Sequence, residues 1–215
     1  MRTKNAFITF GLIAIGLLST AQVGFSQSSS TLPSNTNAFG QGSNALNVGV
    51  GLGGDYTYYG NGYSSTPNLV ISYDNGTFGN VGPGTISLGG LLAYKGISYS
   101  YTNFNSGYIY NQNWHYYIIG FRSAYHWNFT TNDRFDPYIG LMLAYYNVGY
   151  TSNSTDPYYN HPGDPYYSYY SNTYGSYMAF SLYLGARYYL SNRVGIWLEL
   201  GYGYSNAAIG VCFKL

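Results

Sequence analysis

Charge is scarce in this chain. Eight Lys and Arg and seven Asp and Glu make up 7% of 215 residues, where a soluble domain carries about a quarter. Water-soluble folds disperse through a charged surface, so this supply argues against a protein that meets water on all sides. The formal net charge is +1 and no basic stripe is present, which excludes nucleic acid as a partner. Cysteine is nearly absent as well. The lone Cys212 rules out an internal disulfide, and its position excludes a lipid-modified cysteine behind a leader. Helical periodicity is missing throughout, and no Gly-rich segment leads into a helix, so the 29 glycines are not a phosphate cradle.

What the chain does have is alternation, together with 30 tyrosines. In Met178–Leu190, Met178, Phe180, Leu182, Leu184, Ala186, Tyr188 and Leu190 fall on one face, and Ala179, Ser181, Tyr183, Gly185, Arg187 and Tyr189 on the other. A period of two is a strand with one apolar and one polar side. Lys95, Arg122, Arg187, Glu199 and Lys214 lie inside such apolar stretches, and each falls opposite the large hydrophobic side chains. Few charges, all on one strand face, suit a barrel that turns its apolar face to lipid and hides its charges in the lumen.

Along the chain, Arg2 and Lys4, an apolar run from Ala6 to Leu18 and small residues at Ser19, Thr20 and Ala21 predict a signal peptide over 1–21, with Ser26 as the alternative cleavage point. Its removal would leave six basic and seven acidic residues. Residues 22–43, Ser/Asn-rich and aperiodic, read as a flexible leader without chemistry. The remainder, 44–215, divides into eight alternating segments: Asn44–Gly54, Asn68–Tyr73, Thr85–Tyr99, Trp114–Phe129, Tyr138–Tyr150, Tyr177–Leu190, Val194–Tyr204 and Ala207–Leu215. Segments of about ten residues match tilted strands through a bilayer. Long connections (55–67, 100–113, 151–176) alternate with short ones (75–84, 130–134, 191–193) until a tight link at Ser205-Asn206, as expected when outer loops are long and inner turns short. Tyr73, Tyr94, Tyr99, Trp114, Tyr117, Tyr125, Trp127, Tyr145, Tyr150, Tyr188 and Tyr202 flank the apolar bands, where amphipathic rings suit the headgroup level.

The polar face alternates glycine with long polar side chains, and an eight-stranded barrel has room inside for side chains only, so the lumen is expected to be filled. Lys95, Arg122, Arg187 and Glu199 are the candidate lumen charge network, with Glu199 paired to Arg187 across a hairpin and Arg122 within reach. Buried charges persist chiefly when paired. Were a path to exist, the excess of Lys95, Arg122 and Arg187 over Glu199 would favour anions. His161, between Asp156 and Asp164, has no second His or Cys nearby and reads as a solvated turn, so no metal is expected. Neither His115 nor His126 has a carboxylate neighbour in sequence, and no nucleophile with an orienting base stands out among the serines, so no catalytic residue and no cofactor are expected. In the third long loop, Asp156-Pro-Tyr-Tyr159 recurs as Asp164-Pro-Tyr-Tyr167. Its Tyr158, Tyr159, Tyr166, Tyr167, Tyr169 and Tyr170 are the candidate contact surface, since rigid rings give contact area at low entropic cost.

Pro137-Tyr-Ile-Gly140 opening one strand, Gly185-Ala-Arg-Tyr-Tyr-Leu-Ser191 closing another, and the terminal Gly210-Val-Cys-Phe-Lys-Leu215 give 44–215 its resemblance to the small eight-stranded outer-membrane β-barrels of the OmpA type and OmpX-like proteins. Family members usually end in an aromatic residue, whereas this chain has Leu215 with Phe213 two positions earlier. The resemblance implies a location in the cell outer membrane of a Gram-negative envelope and no catalytic residues to carry over. The expected fold is all-β, an eight-stranded antiparallel up-and-down transmembrane barrel. It would be monomeric in the outer-membrane bilayer, with a filled polar lumen and a structural or surface-interaction role toward an extracellular ligand or surface protein. The alternatives are a narrow channel for small solutes or ions, and a soluble lipocalin-like barrel with its apolar face inward.

Overall fold

The computed structural model describes residues 37–54, 62–128, 132–156 and 175–215. The predicted signal peptide, the leader up to residue 36, His161 and the loop tyrosines from Tyr158 to Tyr170 lie outside the described residues.

Among the described residues there are nine strands: β1 (Asn44–Leu52), β2 (Tyr63–Ser65), β3 (Asn68–Val81), β4 (Gly84–Thr102), β5 (Ile109–Trp127), β6 (Phe135–Ser154), β7 (Tyr177–Tyr189), β8 (Val194–Tyr202) and β9 (Ala207–Lys214). Eight of them close a barrel. Each pairs antiparallel with its neighbour in sequence, from β3 with β4 round to β8 with β9, and β1 completes the ring by pairing with both β3 and β9. β2 is a three-residue piece that pairs with β4 above the end of β3. Closure leaves no open edge along the staves, the condition for placing strands in hydrocarbon.

The eight staves coincide with the eight segments read from the alternation, but their lengths differ. β3 runs on to Val81 through irregular pairing between Gly76 and Val81, so the short turn placed at 75–84 shrinks to Gly82-Pro83. β4 and β5 continue to Thr102 and back from Ile109, so most of the loop placed at 100–113 is paired strand. Apolar alternation stops where the environment stops being lipid, whereas backbone pairing does not. It therefore under-reads every stave that projects past the bilayer.

The alternation also decides which side is which. Leu52, Leu69, Phe121, Met178, Phe180, Leu182, Leu190 and Ile209 are each more than half exposed, all on the outer face. Every charged side chain carried by a stave points inward or sits on the lower rim, the end where β1 begins and β9 finishes. That arrangement excludes the lipocalin-like reading, which needs the apolar face inside. An exterior of this kind is stable only against hydrocarbon, so the barrel spans a membrane. The outward run on β7 from Met178 to Tyr188 covers about 33 Å of strand, or about 25 Å along the axis at a tilt of about 40°, the height of a barrel's apolar band. Tyr125 and Trp127 meet edge to face at 5.6 Å toward the lower border, and Tyr94 and Tyr117 lie 5.2 Å apart toward the upper one. Tyr99, Trp114 and Tyr150 do not belong to this girdle. They cluster with Ile97, Tyr116 and Val148 on the inward face of the projecting strands.

The lipid-facing assignment predicts a position-dependent penalty. Leu198→Arg at mid-height of β8 should destabilise the barrel by about 2–4 kcal/mol, while Ser98→Lys, outward but above the band, should cost under about 0.5 kcal/mol, as measured by denaturant unfolding in lipid vesicles.

Candidate functional site

The inward faces bring together residues that are far apart in sequence. Asp74 on β3 lies between two guanidinium groups: its Oδ1 is 3.0 Å from Arg122 Nε on β5, and its Oδ2 accepts from Arg187 Nη2 on β7. Arg122 reaches onward to Glu199 on β8 at 2.9 Å, and Arg187 to Asp136 on β6 at 2.7 Å. The chain of charges Glu199, Arg122, Asp74, Arg187, Asp136 therefore crosses the lumen from wall to wall. All five side chains are at most 2% exposed.

Further donors and acceptors surround the chain of charges. Tyr138 and Tyr204 donate to the two oxygens of Glu199 at 3.1 and 2.8 Å, and Trp197 Nε1 donates to the Tyr138 hydroxyl at 2.7 Å. Arg187 Nε donates to Asn47 Oδ1 at 2.9 Å, and Asn47 in turn donates to Ser72. Arg122 lies over the Tyr183 ring at 4.2 Å and Arg187 over Tyr138 at 4.8 Å, so π faces cover what the carboxylates do not. Space for these rings comes from missing side chains. A Cβ on Gly185 would run into the Tyr138 ring, and one on Gly140 into the Tyr183 ring. The alternation of glycine with long polar residues is thus a packing arrangement, and the lumen is filled across this section.

Of the four residues predicted as the lumen network, Arg122, Arg187 and Glu199 are in it. The pairing differs from expectation: Glu199 holds Arg122, and Arg187 is held by Asp74 and Asp136. In the hairpin register Glu199 faces Gly185 and Arg187 faces Trp197, while the ring of staves brings Arg122 across from the opposite wall. Lys95 stands apart, near the upper mouth, where its Nζ donates to the Gly53 carbonyl at 3.2 Å. Asp74 and Asp136 were missed. With them, two guanidiniums face three carboxylates, which removes the basis for an anion preference.

A second constellation hangs from the first. His126 Nδ1 lies 2.7 Å from Asp136 Oδ1 and its Nε2 lies 3.0 Å from Ser87 Oγ. Serine, imidazole and carboxylate stand in the order of a nucleophile, base and orienting acid, an arrangement the sequence did not reveal because its members come from β4, β5 and β6. Its surroundings make it a structural tie. All three side chains are buried, Asp136 gives its other oxygen to Arg187, and the Phe39 ring stacks on the imidazole at 4.0 Å, so no substrate carbonyl can approach Ser87.

Phe39 belongs to the stretch read as a flexible leader, and here the structure differs from that reading. Residues 37–43 fold into the lower mouth, with Ala38 and Phe39 2% and 1% exposed. The composition hid this, because one aromatic among Ser, Asn and Gly gives no periodic signal.

No protein-family model and no curated protein matches the chain. Among solved structures, the chain is similar to the outer membrane protein OprG of Pseudomonas aeruginosa (11% identity, 84% of this chain and 98% of that one, TM-score 0.46). It is also similar to the N-terminal β-barrel domain of OprF from the same organism (14%, 82% and 100%, TM-score 0.42) and to Ail, the attachment invasion locus protein of Yersinia pestis (11%, 81% and 95%, TM-score 0.40). The architecture itself stands on the chain's own pairing: a closed antiparallel barrel of eight staves, the fold of the small outer-membrane β-barrels.

The shared carboxylate makes a prediction. Asp74→Asn removes the carboxylate shared by two buried guanidiniums, leaving each with one carboxylate partner, and should lower stability by about 3–5 kcal/mol. Glu199→Gln, which weakens the hold on one guanidinium and keeps an acceptor oxygen for one of the two tyrosine donors, should cost about 2 kcal/mol. Denaturant titration of the refolded barrel, followed by its gel-mobility shift on boiling, ranks the two.

Proposed function

We propose that this chain is a monomeric outer-membrane barrel that works at its outer end, as a structural or surface-interaction protein, with no enzymatic activity and no conducting pore. The observation that carries the reading is the wall-to-wall ion chain Glu199–Arg122–Asp74–Arg187–Asp136, which occupies the section a solute would have to cross. Opening it would separate buried opposite charges in low dielectric, a cost far above thermal energy.

Three staves support an outward-facing role. β4, β5 and β6, at 19, 19 and 20 residues, exceed what a bilayer requires and carry a paired sheet beyond the upper girdle. Tyr63 and Tyr99 pack at 4.5 Å there, Tyr101 and Tyr110 stack at 6.2 Å, and Tyr110 donates to Asp156 at 2.8 Å. The sequence adds Tyr158, Tyr159, Tyr166, Tyr167, Tyr169 and Tyr170 to the loop that follows. Rigid amphipathic rings in this number suit contact with an extracellular ligand or surface protein.

Planar-bilayer conductance of the refolded barrel tests the reading. A folded, electrically silent protein is expected. Discrete, repeatable steps that change in Glu199→Gln or Arg187→Gln would replace it with the narrow-channel reading. Location is checked separately by fractionation: the protein should sediment with outer membranes and need detergent for release, and recovery in the soluble periplasm would overturn the assignment.

A further inference from the structure

Residues Asn37–Ser43 lie in the lower mouth, held by β3 and β9, the two staves that flank β1. On the β3 side, Gly42 N donates to the Gly76 carbonyl at 2.8 Å and Gly76 N donates to the Ser43 carbonyl at 2.8 Å, a two-bond clasp with backbone geometry like a strand pair. Gly40 N donates to Ser43 Oγ at 3.0 Å, which closes the turn. On the β9 side, Lys214 Nζ donates to the Ala38 carbonyl at 2.9 Å. Between these anchors the Phe39 ring is buried in the lumen. It stacks on His126 at 4.0 Å with a 19° interplanar angle, and the Arg187 guanidinium lies 5.4 Å from its centroid.

The barrel wall is cut to receive this segment. Gly76 faces inward, and a Cβ there would collide with the Gly40 carbonyl. A Cβ on Gly79 would come within 2.7 Å of the Gln41 side chain. Glycine in a strand interior weakens it, and a close approach of another backbone is one of the recognised reasons for its presence. Two such positions on one hairpin, each opposite a different residue of the same segment, indicate a docking groove.

From this geometry we infer that the lower mouth is a binding site for the chain's own Asn37–Ser43 segment, which acts as a plug with Phe39 as its stopper. It seals the periplasmic end of the lumen below the ion chain. This goes beyond the surface role, since it concerns the opposite end of the barrel and would hold for a channel as well as for a silent scaffold. Sealing by the segment keeps water from Asp136, His126 and Arg187, whose mutual hydrogen bonds gain strength from its absence.

The chain carries its own reporter. Cys212, the only cysteine, faces inward on β9 and is fully buried, one inward position above Lys214. A small methanethiosulfonate reagent reaching it from below has to pass the plug. With the full chain refolded in detergent micelles, Cys212 should label slowly in the parent protein. In Phe39→Ala it should label about 10- to 100-fold faster, because removal of the buried ring raises the open population. Gly76→Ala, whose Cβ would run into the Gly40 carbonyl and press on the Phe39 ring while leaving every residue of the ion chain in place, should accelerate labelling in the same direction. A gel-mobility shift on boiling confirms that each variant is folded, and Gly76→Ala decides the matter should Phe39→Ala fail to fold. Rapid labelling of the parent protein, or parent-like rates in the folded variants, would overturn the plug.

Discussion

An ion cannot be left alone inside a tube clad in hydrocarbon, and most of this structure follows from that constraint. With Arg122 and Arg187 pointing inward, carboxylates must meet them, and Asp74 meets both. Sharing one carboxylate between two guanidiniums fixes three staves relative to one another, and Glu199 and Asp136 extend the fixation to two more. The aromatic residues follow from the same requirement, since Tyr138, Tyr183 and Tyr204 donate to or cover the charges that the ion pairs leave partly bare. The glycines come next, because these rings need room to lie across a narrow lumen. Charge, aromatic and glycine are thus three layers of one solution.

The exterior answers the opposite demand. The staves give their outward positions to apolar or small side chains through the middle, and β4 and β5 place tyrosine or tryptophan at the borders. Because the strand period is two, the same residues that build the outside set the register of the inside, and a slip of one position would place Arg122 and Arg187 in lipid. Two incompatible surroundings, hydrocarbon outside and a buried ionic lumen inside, specify each strand more tightly than either alone.

Much of this was legible in the sequence. The number of staves, their order, the inward placement of Lys95, Arg122, Arg187 and Glu199 and the filled lumen follow from alternation and composition. Asp74 and Asp136 escaped because strand limits drawn from apolar residues stop at Tyr73 and begin at Tyr138. Yet parity was there to read: Asp74 shares a face with Ser72, and Asp136 with Tyr138. The partner of each arginine was not legible, since it depends on which walls of a closed ring face each other, and hairpin register reports only adjacent ones. Phe39 gave no periodic signal, and its role emerges only from what it touches: His126, Arg187 and the glycine-lined hairpin of β3.

The clasp at the lower mouth also bears on how the barrel is assembled. Ser43 leads directly into β1, the stave that closes the ring by pairing with both β3 and β9, and Lys214, which holds Ala38, is the last paired residue of β9. The site for residues 37–43 is therefore composed of groups from both ends of the barrel sequence, and it is incomplete while the first and last staves are apart. The hold on Phe39 is accordingly complete only on a closed cylinder, where the β3 clasp and the Lys214 contact exist together.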